Sequence, residues 1–146
     1  MTKDVMLVTG AGQISMAIAR RMGYGKKIVL GDRSIDNAKA IAKTLTEAGF
    51  DVVTFEMDLS SRQSIKEMIA YAQTFGDIKY LVNGAGVSPS QASIATVLKV
   101  DLYGTSVLLE EVGKVIAKGG AGVFSYGDGK VTVSDTTITT KQDTSG

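Results

Sequence analysis

The residues of this chain whose types and spacing can do chemistry begin with Gly10-Ala11-Gly12-Gln13-Ile14-Ser15, followed by an acidic residue, Asp32, 22 positions after Gly10. The glycine spacing is that of a turn able to cradle a diphosphate. Gly10 permits a turn too tight for a side chain, and Gly12 lets the backbone approach a phosphate pair. The third position, Ser15 here, sets how closely helix and strand pack. The free N–H groups and positive dipole end of a helix opening after Gly12 would face the phosphates, worth about 0.3–1 kcal/mol per exposed charge. Asp32 falls near the ~20-residue offset of a carboxylate that holds a ribose 2′-hydroxyl. Its competing use is as the N-cap of the next helix, a job for which Ser34 is better placed. For Ser15 two readings stand: a small side chain that keeps the packing close and whose hydroxyl donates to a phosphate, or one that pushes the helix outward. The chain has no histidine and no cysteine. Serine–histidine triads, thiol nucleophiles, disulfides and histidine or thiolate metal sites are therefore excluded, and proton chemistry falls to tyrosine, lysine or carboxylates.

The elements that must position these residues alternate regularly. Apolar runs at 5–8, 27–32, 51–56, 78–83 and 121–126 read as strands. Helical patterns occupy 16–22, 36–48 (Ala38, Ile41, Ala42 and Leu45 inward, Gly49 ending it) and a stretch from a cap at Ser60 or Ser61 to about 74, with Ile65, Met68, Ile69 and Ala72 inward. A glycine-rich connection, Gly84 to Pro89, leads into a long helix spanning about 91–118. Strict alternation predicts an α/β, Rossmann-like doubly wound sheet of five parallel strands in the order 3-2-1-4-5, with helices on both faces. Its crevice belongs at the carboxyl ends of the first and fourth strands, where strand order reverses. We expect residues 1–126 to form one nucleotide-binding unit. Residues 127–146 are then a hairpin-like or frayed tail, with an Asp128-Gly129 turn signal and a threonine-rich run at 136–140. The 146 residues carry 16 basic and 15 acidic side chains, interspersed, without the basic stripe of a nucleic-acid partner. No stretch approaches the ~20 apolar residues of a membrane span, and a cytoplasmic location is expected.

Over residues 1 to about 125 the chain resembles the amino-terminal half of the short-chain dehydrogenase/reductase family. Thr9-Gly10-Ala11-Gly12-Gln13-Ile14-Ser15 corresponds to the family's first motif, and Asp32 to its acidic, NAD-selecting position, while the neighbouring Arg33 leaves room for the 2′-phosphate of NADP. Asp58-Leu59 is similar to the family's adenine-contacting pair. Asn83-Gly84-Ala85-Gly86 resembles the Asn-Asn-Ala-Gly motif that stabilises the sheet beside the nicotinamide-side ribose. Asp101 stands where the family carries a proton-relay asparagine. Either it positions a water, or it is a solvated carboxylate on a pairing helix. The resemblance implies a catalytic serine after the fifth strand, at Ser125, and then a helical Tyr-x-x-x-Lys. Tyr126-Gly127-Asp128-Gly129-Lys130 has that spacing but adjoins Ser125 directly, and its two glycines each disfavour a helix by about 1 kcal/mol. With Asp128-Gly129 as a hairpin turn, Tyr126 would pair with Val131, and Tyr126 and Lys130 would point to opposite faces.

The resemblance implies an NAD(P)-binding domain of an oxidoreductase that moves hydride between nicotinamide and an alcohol or carbonyl carbon. The alternative is a truncated, non-catalytic dinucleotide-binding or scaffold module, because the usual catalytic helix and the substrate lobe are not found in these residues. Relatives pair through the long helix. Here Val97, Leu98, Leu108, Leu109 and Val112 either support such a homo-oligomer or pack on the sheet.

Overall fold

The computed structural model describes residues 3–86 and 90–116, and the backbone of three strands at 122–125, 130–133 and 136–139. The first half alternates strictly: β1 (Val5–Thr9), α1 (Gln13–Met22), β2 (Lys27–Asp32), α2 (Ile35–Glu47), β3 (Asp51–Glu56), α3 (Arg62–Gln73) and β4 (Ile78–Asn83). With β5 (Gly122–Ser125) these strands form one five-stranded parallel sheet in the order β3-β2-β1-β4-β5. The expected topology is therefore the observed one. The chain winds outward from β1 to β3, then crosses back to lay β4 on the other side of β1. Turns that leave β1 and β4 diverge, and a crevice opens between them at the carboxyl edge.

The sheet is covered on both faces, which is why β1 reads as an unbroken apolar run. Its side chains alternate between two cores. Val5 and Leu7 join Val29, Leu81, and the inward residues of α3, including Ile65, Met68 and Ala72. Met6 and Val8 join Ile28, Leu30, Val82, Ala19, Ala38 and Leu45 beneath α1 and α2. Helix starts follow local chemistry. The Ser34 Oγ accepts from the Asn37 N–H at 3.3 Å, and the Ser61 Oγ accepts from the Ser64 N–H at 3.2 Å. Helix α1 begins at Gln13, earlier than the apolar pattern suggests, directly behind Gly12, with no side-chain cap.

The long helix is not uniform. It starts at Ile94 rather than 91, with Ser93 as its cap, and runs as α4 (Ile94–Val97), a π-helical segment (Leu98–Gly104) and α5 (Thr105–Val115). Of the residues considered for its outer face, Leu108, Leu109 and Val112 are buried in the core with Val107. Leu98 is exposed, and the solvent-facing apolar residues are Ile94, Leu98, Leu102 and Tyr103. The described residues of the tail form a hairpin. Strands β6 (Lys130–Val133) and β7 (Thr136–Thr139) pair antiparallel, with Val131 opposite Ile138 and Lys130 opposite Thr139. Val131 has Ile138 as its partner, in keeping with the β-branched composition of both strands, and the expected pairing with Tyr126 lies outside the described residues. Tyr126 and the Gly127–Gly129 stretch lie outside the described residues.

Ser15 is buried, and its Oγ has no hydrogen-bond partner. It presses on the α-carbon of Gly84, where a Cβ would meet the Ser15 Oγ at 1.9 Å. The hydroxymethyl at position 15 fills space left by the hydrogen at position 84, so α1 stays close to the sheet without a glycine in its first turn. On the opposite face, Arg62 ties α3 to α5, donating to Glu111 at 2.5 Å and to Glu110 at 3.0 Å. Lys114 donates to the same Glu111 oxygen at 3.0 Å. The Lys114 bond, reinforced by Arg62, holds the Glu111 carboxyl below its ordinary value of 4.5 against the cost of burial.

Three expectations follow from this packing. Ser15→Ala, which removes an unpaired buried hydroxyl, should raise unfolding free energy by about 1 kcal/mol. Gly84→Ala should cost about 1–3 kcal/mol, with most of that cost relieved in the Ser15→Gly background. Urea titration of the four proteins gives the coupling, and additive effects would refute the size exchange. Because the Glu111 carboxyl titrates lower in the fold than in the unfolded chain, its contribution is present above pH 4.5 and lost as pH falls through the depressed value. The melting temperature of Glu111→Gln should therefore lie a few degrees below the parent at neutral pH. The two should converge in acid, and a gap that persists there would contradict the assignment.

Candidate functional site

A cleft of about 450 Å³ opens at the carboxyl edge of the sheet. Four consecutive strand exits line it: Gly10, Ala11 and Gly12 after β1, Asp32 and Arg33 at β2, Met57, Asp58 and Leu59 after β3, and Gly84, Ala85 and Gly86 after β4. Gln91 and Val100 close it from the side of the long helix. Motifs scattered over about half the sequence thus meet in one place, because every parallel strand delivers its exit to the same edge.

The floor is the Gly10 turn. Gly10 has φ +81, a conformation that L side chains rarely adopt, and a Cβ there would lie 2.6 Å from the Ala85 nitrogen and 2.7 Å from the Gly84 carbonyl carbon. The Gly10 N–H donates to the Gly31 carbonyl at 2.7 Å, so the turn is fixed from β2 as well. Gly12 differs: a Cβ there would meet nothing within 4 Å. Open space at the first turn of α1 is what a bound diphosphate requires. The N–H groups of Gln13, Ile14 and Ser15 have no acceptor among the described residues, as expected for the opening of a helix without a side-chain cap. The side chain of Ile14 is about half exposed. The Ser15 hydroxyl lies against Gly84 rather than in the cleft, and of the two expectations for this residue it is the close packing that is observed.

Asp32 ends β2 with its carboxylate turned back to the turn. Its Oδ2 accepts from the Ala11 N–H at 2.7 Å and its Oδ1 from the Ser34 N–H at 2.7 Å. Ser34, not Asp32, caps α2. The Ala11 amide is thus already taken, by the cleft's own carboxylate. That carboxylate stays in the cleft wall with about half of its acceptor capacity uncommitted. Asn37 was not singled out from the sequence. Its Nδ2 donates to the Ala11 carbonyl at 3.2 Å and it lines the cleft beside Asp32. The signal was confined to its place in the first turn of a capped helix.

At the next strand exit, Asp58 Oδ1 accepts from the Ser60 hydroxyl at 2.7 Å and from the Ser60 N–H at 2.9 Å. These bonds, the hydroxyl's first, hold its carboxyl below the usual range, with the charges of Arg33 and Lys99 adding to the effect. Leu59 is buried, and its carbonyl lies so close to Gly104 that a Cβ there would meet it at 2.5 Å. Asn83 cross-ties the structure: the Thr9 hydroxyl donates to its Oδ1 at 2.6 Å, and its Nδ2 donates to Thr105 Oγ1 at 3.3 Å. Asp101 lies in the π-helical segment with Oδ1 3.1 Å from the position of a Cβ on Gly86. At the far edge, Ser125 ends β5 opposite Asn83 in the strand register. Lys130 opens β6 in the separate two-stranded sheet. The described residues hold no cluster of three or more histidine, cysteine, aspartate or glutamate side chains suited to a metal, and no helix long and apolar enough to cross a membrane.

This arrangement has counterparts among known proteins. Residues 4–124 match the family model described as short chain dehydrogenase. A short-chain dehydrogenase/reductase of Alternaria brassicicola, bsc3, is 36% identical over 120 residues, covering 82% of this chain and 44% of the relative. Among solved structures, NAD+-bound xylitol dehydrogenase superposes with a TM-score of 0.68 at 26% identity, covering 77% of this chain and 47% of its own. Actinorhodin polyketide ketoreductase with NADPH gives a TM-score of 0.69 at 28% identity, with the same coverage. The chain therefore spans less than half the length of these relatives, and the matched stretch includes every strand exit that lines the cleft. It belongs to the short-chain dehydrogenase family.

Proposed function

We propose that this chain is the NAD(P)-binding unit of an oxidoreductase, and that the cleft holds the dinucleotide across the β1–β4 switch point. The observation that carries this reading is the first turn of α1: empty space off Gly12 beside helix N–H groups that lack acceptors. In this reading the Gln13, Ile14 and Ser15 amides take the diphosphate, and the uncommitted lone pairs of Asp32 take hydroxyls of the adenosine ribose, favouring NAD over NADP. Asp58 and Leu59 contact the adenine, with Arg33 at the rim. Gly84, Ala85 and Gly86 flank the nicotinamide-side ribose, with Asn83 holding that loop to β1 and α5. Bound nicotinamide would supply hydride exchange with an alcohol or carbonyl carbon. Asp101 and Ser125, which the family pattern puts at that end, would act on protons. The unit would comprise residues 1–126, since β6 and β7 form a sheet of their own.

One observation favours a second reading, a module that binds without turnover. Lys130 starts a β-strand, so it is not four residues along a helix from Tyr126. In either reading the cofactor should bind. Titration of the protein with NADH, followed by fluorescence, should saturate, and Asp32→Ala should weaken binding by more than about tenfold through loss of charge-assisted hydrogen bonds. No binding at millimolar cofactor would overturn the proposal.

The exposed residues Ile94, Leu98 and Leu102, with Tyr103, suit pairing of two copies along this helix. Sedimentation should then show a dimer that Leu98→Glu with Leu102→Glu converts to monomer with an unchanged circular dichroism spectrum. A monomeric parent chain would refute the pairing.

A further inference from the structure

We infer that Asn37 is a nucleotide-site residue with two jobs: its amide nitrogen fixes the glycine turn, and its amide oxygen adds an acceptor beside Asp32 that favours an unphosphorylated ribose. The inference rests on the dinucleotide reading above and adds a residue that the glycine–aspartate fingerprint does not contain.

The peptide groups of Ala11 are held at both ends. The N–H donates to Asp32 Oδ2 at 2.7 Å, and the carbonyl accepts from Asn37 Nδ2 at 3.2 Å. Both anchoring residues are in turn set by Ser34, whose N–H donates to Asp32 Oδ1 and whose hydroxyl accepts from the Asn37 N–H. The β2–α2 junction therefore grips the turn on which the diphosphate would sit, and organises it before any ligand arrives. The orientation of the Asn37 amide follows from chemistry. A carbonyl only accepts, so the end of Asn37 that meets Ala11 must be the NH2, which leaves Oδ1 and the second amide N–H for other partners. Asn37 lines the cleft beside Asp32. Together they bring a carboxylate and an amide oxygen to one wall. A ribose with free hydroxyls can donate to both. A 2′-phosphate brings no donor and meets a carboxylate instead. Arg33, which lines the same cleft, lies close enough to Asp58 to lower its affinity for protons.

Two variants separate the jobs. Asn37→Ala removes both the donor and the acceptor. It should raise the NADH dissociation constant about three- to tenfold, the range expected for a hydrogen bond or two. NADPH binding, which shares the turn but not the free 2′-hydroxyl, should lose only the turn's part of that, so that the preference for NADH narrows. Asn37→Asp keeps an acceptor and loses the donor. In the ligand-free protein it should speed hydrogen exchange at the Ala11 amide, which is bonded to Asp32, while leaving the melting temperature near that of the parent. Asn37→Ala binding that matches the parent for both nucleotides, in a protein whose NADH binding Asp32→Ala abolishes, would overturn this inference alone. Unchanged exchange in Asn37→Asp would overturn the turn-fixing role. Failure of the parent chain to bind either nucleotide would overturn the dinucleotide reading and this inference together.

Discussion

The cleft depends on one contact, backbone against backbone, where the chain leaves β1 and β4. Gly10 and the Gly84–Ala85 peptide lie closer than any side chain would allow. The contact is locked by hydrogen bonds on either side of it. The Gly84 N–H donates to the Thr9 carbonyl at 2.8 Å, and the fully buried Thr9 hydroxyl donates to Asn83. Severing that pair would strand a polar group in the core, at a cost of about 1–3 kcal/mol. A doubly wound sheet provides a crevice at its switch point from topology alone. The width of this crevice is a matter of chemistry, and here it is fixed by a glycine with no room to be anything else. The same contact explains why Ser15 is tolerated. The packing that a third glycine usually provides is recovered across the gap, at Gly84.

What could be read from the sequence divides along a physical line. Features that make a local demand on the backbone were legible: the turn at Gly10, the cap at Ser34, the apolar alternation of β1, and the inward faces of α2 and α3. The strand order followed from alternation and from the handedness of crossovers. Relations between distant positions were not legible. The complementarity of Ser15 and Gly84 and the hold of Asn37 on Ala11 both require two segments to be placed together first. Leu108, Leu109 and Val112 have the apolar spacing of either an inner or an outer face. Only the packing of α5 against β1 and α3 decides that they face inward.

Asp32 shows how a carboxylate can stand ready for a sugar without a large desolvation penalty. A bare carboxylate in a closing cleft would have to give up its water, an expensive step when nothing replaces it. Here two backbone N–H groups already occupy part of its hydration sphere, so a ribose needs to displace only the remainder. Asp58 is prepared in the same way by Ser60. Both carboxylates are thus oriented by their own loops, with Arg33 and Lys99 balancing the field around Asp58.

The π-helical segment serves both ends of this cleft. An ordinary α-helix from Ile94 to Val115 would keep one face on the sheet throughout. Widening its turns between Leu98 and Gly104 alters the register, so that Val100 lines the cleft and Asp101 approaches Gly86, while Leu98 and Leu102 stay outside. At the end of the same segment, Gly104 admits the Leu59 carbonyl and so seats the loop that would meet the adenine. One irregular stretch of helix therefore couples the position of the Asp58–Leu59 loop to that of the Asp101 carboxylate at the opposite end. Such segments cost hydrogen-bond geometry and persist where a site gains from them. A substitution that straightened this one would shift both ends at once, which ties the shape of the cleft to a helix that contributes only Val100 to its wall.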